Sequence, residues 1–306
     1  MDGKTLNGKC LYTPQGAARE YAAVGCNLYR GCPYRCNYCY NRKGLAAGIL
    51  GLDHAVLSNA FTDMRYRPKK YAAMTPEEYA LHVLTNELAR NWDYLKQTGI
   101  FMSFTTDPFC LEAFTLTSFA ITIAIEMDIP VKVLTKNAEL NFLMKEILLE
   151  STKDKRDKVA IGYTLTGRDR EEPFASPNKM RIEAMKWMKG QGFRTFASIE
   201  PIVDFDSSYK MIERSIGCAD QYLIGLMSNR GSKYPPYVRE ECAAFIHRVD
   251  ELLETKGTAS KVYWKQSMKR FMACDDLTMG IMERSSRSVN MDWCLFNQEY
   301  SLTGKN

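Results

Sequence analysis

Short apolar runs alternate with longer amphipathic stretches along most of the chain. Runs at 21–28, 100–105, 131–135, 159–165, 195–199 and 221–226 predict strands, and the stretches between them predict helices. Thr75-Pro76-Glu77-Glu78 supplies an N-cap, a proline at the first helical position and an acidic residue at the third, so a helix is expected from there to about residue 97, ahead of Gly99. Ser176-Pro177 opens another, which ends near Gly190-Gln191-Gly192. Further helices are expected at 115–127, 139–150, 207–216 and 236–255.

Strands that alternate with helices imply parallel pairing, and six such units fit an α/β fold of the partial (β/α)6 TIM-type barrel class. In such barrels the chemistry sits where strands end. The ends read Cys32, Thr105-Thr106-Asp107, Thr135-Lys136-Asn137, Thr164-Leu165-Thr166, Ser198-Ile199-Glu200-Pro201 and Ser228-Asn229-Arg230, so polar groups gather on one rim. Glu200 there reads as a rim ion-pair partner. Residues 43–74 fit no βα unit and are expected to be an insertion after the first strand. The barrel is then 1–256, and 257–306 is a C-terminal extension packing on it, with a short strand at 261–264.

Composition narrows the class without choosing a function. With 306 residues, 45% hydrophobic and 25% charged, the chain is neither disordered, nor collagen-like, nor a disulfide scaffold. No apolar run approaches the roughly 20 residues of a bilayer span, and none follows the N-terminal charges, so the expectation is a cytoplasmic protein with no membrane partner. The net charge is +5. Residues 1–70 hold 11 basic residues against 4 acidic ones, with Arg65, Arg67, Lys69 and Lys70 closing the insertion. A polyanion would be drawn to that region, where Tyr29, Tyr34, Tyr38 and Tyr40 are candidates for stacking on bases.

Ten cysteines without a secretion signal point away from disulfides and toward metal or catalysis. Cys32, Cys36 and Cys39 stand at C-x3-C-x2-C. Three thiolates at that spacing can each take one corner of a cubic iron–sulfur cluster, leaving the fourth iron open. Structural zinc wants four ligands from two hooks, and no second hook is present. Cys26 lies inside the first strand, where a small buried residue is expected, and Cys110 reads as core.

Cys32-x3-Cys36-x-Tyr38-Cys39 directly after the first strand resembles the signature of the radical S-adenosylmethionine (SAM) superfamily. The wording Asn27-x-Tyr29-x-Gly31-Cys32-Pro-Tyr-x-Cys36-x-Tyr-Cys39-Tyr40, with Thr106-Asp107-Pro108, Leu134-Thr135-Lys136, Glu172-Pro173, Ser176-Pro177 and Arg181, is similar to the spore photoproduct lyase branch over about residues 20–205. Tyr263-Trp264-Lys265-Gln266 is weakly similar to a group of phage-type relatives. The resemblance implies that Cys32, Cys36 and Cys39 hold a [4Fe-4S] cluster, that SAM chelates its open iron, and that a low-potential donor of flavodoxin or ferredoxin type supplies the electron. Cleavage of SAM then yields a 5′-deoxyadenosyl radical that takes hydrogen from a substrate. By the same resemblance Tyr38 lies beside the adenine, Thr106 and Asp107 contact the methionyl group, and Lys136 and Arg181 pair with the SAM carboxylate.

Two positions depart from the branch. Its strand-four serine falls on Gly162, and its hydrogen-donating cysteine falls on Phe104, so the repair mechanism does not carry over. A nucleic acid, in repair or modification, is the leading substrate class. Two alternatives stay open: a radical SAM enzyme acting on a peptide or small metabolite, and a non-enzymatic zinc or iron–sulfur protein that binds nucleic acid.

Overall fold

The computed structural model describes residues 4–285 except 229 and 259. Asn229 of the sixth strand end, Cys294 and residues 286–306 of the expected extension lie outside the described residues. The main sheet has eight strands: β1 (Leu11–Tyr12), β2 (Gly25–Cys26), β3 (Ile100–Met102), β4 (Val131–Thr135), β5 (Val159–Thr164), β6 (Arg194–Ile202), β7 (Gln221–Leu226) and β8 (Lys261–Trp264). They lie side by side in chain order. Only β1 pairs antiparallel; every other neighbour is parallel.

Each strand from β2 to β7 is followed by a main helix: α1 (Pro76–Arg90), α2 (Leu111–Glu126), α3 (Phe142–Ser151), α4 (Asn178–Gly190), α5 (Phe205–Ser215) and α6 (Arg239–Thr255). This is the expected partial barrel of six units, with β8 added beside β7. The Thr75 capping box forms as its sequence implies: Thr75 Oγ1 accepts from the Glu78 amide at 3.1 Å, and the Glu78 carboxylate accepts from the Thr75 amide at 2.8 Å.

Three expectations need correction. The helix predicted to run to about 97 stops at Arg90, because the Asn91 side chain donates to the Glu87 carbonyl at 2.7 Å and a second helix, Trp92–Thr98, follows. The strand predicted over 21–28 is only Gly25–Cys26. Tyr21 follows a helical turn, Gly16–Glu20, and turns its ring into the barrel, while past Cys26 the Asn27 side chain takes over, its Oδ1 accepting from the Phe104 amide at 3.0 Å. Tyr29–Arg30 then leaves the main sheet and pairs with Val56–Leu57 of the insertion. The insertion's basic end is only partly a surface patch: Arg67 is buried, donating to the carbonyls of Phe61 and Met74, while Arg65, paired with Asp63, and Lys69 and Lys70 are exposed. Tyr29, Tyr34 and Tyr38 are buried as well, leaving Tyr40 as the exposed member of that set.

Side chains two apart on a strand share a face. Tyr21, Phe101, Ala160, Phe196, Leu223 and Tyr263 therefore meet inside the barrel as one cluster, separate from the larger core between strands and helices. The Gly162 departure has its reason here. A Cβ at Gly162 would stand 2.2 Å from the Phe196 ring, so the neighbouring strand's aromatic fills the place of a side chain.

Candidate active site

Continuing the inward faces of the strands past that aromatic floor gives Lys136 after β4, Thr164 on β5, Glu200 on β6 and Lys265 after β8. These four line one cavity of about 470 Å³ together with Cys32, Cys36, Cys39, Tyr38, Thr106 and Asp107. The site is thus built at the C-terminal ends of the strands, as the barrel rule expects.

The cysteine loop is fixed at both ends. Gly31 has φ +79°, and a Cβ there would lie 2.3 Å from the His54 carbonyl oxygen and 2.7 Å from the Leu52 Cβ; glycine alone fits. The Cys32 amide then donates to the Leu52 carbonyl at 3.0 Å, and the Asn37 amide to the Glu171 carbonyl at 2.9 Å. Between these points the Tyr38 hydroxyl donates to Glu172, which also takes Arg181 Nη1 at 2.8 Å and Thr166 Oγ1 at 3.1 Å. The insertion and the loop after β5 therefore hold the three thiols in place.

Among the described residues, no three His, Cys, Asp or Glu side chains converge on one metal-ion position. Cys32, Cys36 and Cys39 all line the one cavity, three donors from a single loop, the number that a cluster with one open iron takes. Burial, reinforced by Asp107, pushes the Cys32 thiol up to about 12, and burial also raises Cys36, while Lys136 works against both. A bound metal centre would supply the positive charge that lets these thiols ionise.

Thr106 Oγ1 is buried and has no hydrogen-bond partner. An unsatisfied hydroxyl on a cavity wall is a group built to meet a ligand. Asp107 differs: one oxygen accepts from Thr135 Oγ1 at 2.6 Å and the Phe109 amide at 3.0 Å, the other from the Lys136 amide at 2.7 Å. It joins the ends of β3 and β4. Lys136 Nζ lies 5.7 Å from the centre of the Tyr38 ring and makes no ion pair among the described residues. Burial alone would lower its pKa, but Cys36 and Glu172 outweigh burial and leave it raised, so the ammonium stays charged.

Arg181, expected beside a ligand carboxylate, is not brought to the cavity. It is fully buried behind the wall, where Glu172 is its ion-pair partner and the carbonyls of Ser176 and Thr164 accept from it at 2.7 and 2.9 Å. Cys26 and Cys110 are buried away from the cavity wall. Tyr21, Ser103 and Lys265 are in the wall without having been singled out as site residues. The inward period of the strand at 261–264, which carries Tyr263 and then Lys265, was the signal available for the last of them.

No family model and no curated protein matches the sequence. Solved structures are similar to it. Spore photoproduct lyase complexed with dinucleoside spore photoproduct has a TM-score of 0.56 at 15% identity, over 83% of this chain and 80% of that one. A double mutant of the lyase with bound AdoMet (SAM) and dinucleoside spore photoproduct scores 0.58 at 14% identity over 83% and 80%. A cysteine-to-serine mutant scores 0.58 at 14% over 86% and 80%. At that identity the likeness is one of fold, and together with the strand order it shows that this chain has the fold of spore photoproduct lyase.

Proposed function

We propose that the chain is a radical SAM enzyme acting on a nucleic acid. The observation that carries the reading is the meeting of Cys32, Cys36 and Cys39 with Thr106 and Lys136 in one cavity at the C-terminal rim of the barrel. Cys32, Cys36 and Cys39 would hold a [4Fe-4S] cluster, and Lys136 and Thr106 would bind SAM. When bound, the pair supplies one-electron cleavage of SAM to methionine and a hydrogen-abstracting 5′-deoxyadenosyl radical.

The chain's own part is binding and exclusion of water. Lys136, charged and unpaired, binds the SAM carboxylate; Thr106 Oγ1 takes a polar group of the methionyl end; Tyr38, clamped by Glu172, backs the adenine. Asp107 positions Lys136 by holding its amide, and Arg181 positions Tyr38 through Glu172. Three thiols on one loop without a second hook argue against the zinc alternative, which takes four ligands.

Nucleic acid is favoured over peptide because the lyase structures of this fold hold a dinucleoside, and Lys69 and Lys70 of the insertion stay exposed, although Arg67 is buried. The electron comes from a flavodoxin or ferredoxin type of donor. All nine described cysteines are free, which suits the cytoplasm, and no helix among the described residues is long and apolar enough to cross a membrane. We assign residues 1–256, with the 43–74 insertion, to the barrel and 257–306 to an extension that completes its cavity through Lys265.

Anaerobic reconstitution with iron and sulfide, followed by reduction in the presence of SAM, tests the assignment. A brown protein that releases 5′-deoxyadenosine supports it. A protein that takes up zinc but no iron, or holds iron and leaves SAM intact, refutes it.

A further inference from the structure

Across the cavity from the cysteine loop stands a polar group that the chemistry above does not use. Lys265 Nζ donates to Glu200 Oε2 at 2.6 Å, and the Tyr21 hydroxyl donates to the same oxygen at 2.6 Å. Ser198 Oγ lies 2.7 Å from the Tyr21 hydroxyl, and Lys265 Nζ also donates to the Ala17 carbonyl at 3.1 Å. The Lys265 side chain is wholly buried and that of Glu200 is 16% exposed. Two donors fill Oε2. Oε1 accepts from none of the described residues.

Charge and shape both bear on what meets that oxygen. Lys265 also lies 3.8 Å from Glu20, so one ammonium faces two carboxylates and the group keeps an excess of negative charge. Oε1 opens into the cavity, so a ligand that fills the cavity and excludes water from it must bring a donor to that oxygen or leave a carboxylate unsatisfied. Glu200 sits where the β6–β7 register shifts, between Ile199 and Ile202, the kind of irregularity that re-aims a side chain toward a site. Opposite it, β7 carries Gly225; a Cβ there would stand 2.9 Å from Oε1 and 3.0 Å from the Lys265 stem, so the glycine keeps that oxygen open. Beside it the wall is aromatic. Phe101 and Phe104 stack with centres 4.5 Å apart, and the Tyr21 ring lies 6.3 Å from Phe104.

An acceptor with a free lone pair next to flat apolar rings fits a flat heterocycle that presents an N–H edge. We infer that Glu200 is the specificity-determining residue of the substrate site, its Oε1 accepting an N–H of a nucleobase that lies against Phe104. Tyr21 and Lys265 are positioning residues that fix the carboxylate by occupying its other oxygen. This inference rests on the radical-enzyme reading with a nucleic acid substrate and adds to it the contact that reads the base.

Equilibrium dialysis of the full-length protein, loaded with S-adenosylhomocysteine, tests it. The probes are the four deoxyribodinucleotides of a single base and their counterparts with the base N–H groups methylated. Losing a hydrogen bond to a charged acceptor weakens binding by about tenfold or more, so at least one parent should bind the wild type that much more tightly than its methylated form. Glu200→Ala should erase the preference, and Glu200→Gln, which keeps the packing and removes the charge, should reduce it. Failure of every dinucleotide to bind, equal binding of parent and methylated forms, or a preference that survives both substitutions overturns the inference. Release of 5′-deoxyadenosine by the reduced wild type, measured without any dinucleotide, reads the radical assignment separately.

Discussion

Tyr38, the residue just before the third loop cysteine, donates its hydroxyl to Glu172, which lies in the loop after β5 and is paired with Arg181 at 2.8 Å. Both charged partners are fully buried. Removing the carboxylate alone strands a buried guanidinium, so Glu172→Ala should cost about 3 to 5 kcal/mol of stability. Urea denaturation of the metal-free protein measures this directly, and a loss under 1 kcal/mol would show that the clamp carries little weight.

Iron content should separate the cavity cysteines from the core ones. Alanine at Cys32, Cys36 or Cys39 should empty the reconstituted protein of its cluster, since two thiolates do not retain it. Alanine at Cys26 or Cys110, both buried away from the cavity, should leave iron per chain near the wild-type value. Equal loss in Cys26→Ala and Cys36→Ala would break the three-ligand assignment.

Thr106 and Lys136 are distinguished from Asp107 by what each already binds. Among the described residues Thr106→Val removes a hydroxyl without a partner and Lys136→Ala an ammonium without an ion pair, so both should leave stability within about 1 kcal/mol while SAM affinity falls. Lys136→Ala, which deletes a charge-assisted contact of about 1.5 to 3 kcal/mol, should weaken it about tenfold or more. Asp107→Ala should instead lower the melting temperature, because three internal donors lose their acceptor. Calorimetric titration and thermal melts on the same preparations check the contrast.

Gly162→Ser, which would restore the residue found in the lyase branch, should destabilise this chain by about 1 to 3 kcal/mol through overpacking. The Phe196 ring occupies the space that the new side chain needs. Phe196→Ala placed in the same chain should relieve part of that cost, and purely additive losses in the double variant would contradict the packing explanation.

The parallel sheet was legible because buried parallel strands are short apolar runs and their helices announce themselves through caps such as Thr75 and Glu78. The thiols were legible because their spacing lies within a single loop. The surroundings of Arg181 were not legible: a helix residue near a rim gives no sign of whether its charge faces the cavity or a carboxylate behind it, and only in three dimensions does Glu172 become its partner. The Lys265, Glu200 and Tyr21 cluster could not be read at all as a unit, since its members are far apart in the chain and strand period gives each one's face but not its neighbours. The charge excess of the first 70 residues was legible but its placement was not: Arg67 is buried on the carbonyls of Phe61 and Met74, and Asp53 and Asp63, already in the count, lie against Arg42 and Arg65.

Lys265 reaches back to the carbonyl of Ala17, so the last strand of the sheet is fastened to the turn that precedes the first barrel strand. A chain emerging from the ribosome can build most of its helices and strands from local contacts as it appears, but it cannot finish this wall until Lys265 is free to meet Ala17. Contacts of such separation form late. A nascent chain stopped short of β8 would own its three thiols and lack the side of the cavity that faces them, so the cluster loop would be open to solvent and oxidants during synthesis. Loading of iron is therefore expected to follow release of the C-terminal segment rather than to accompany translation.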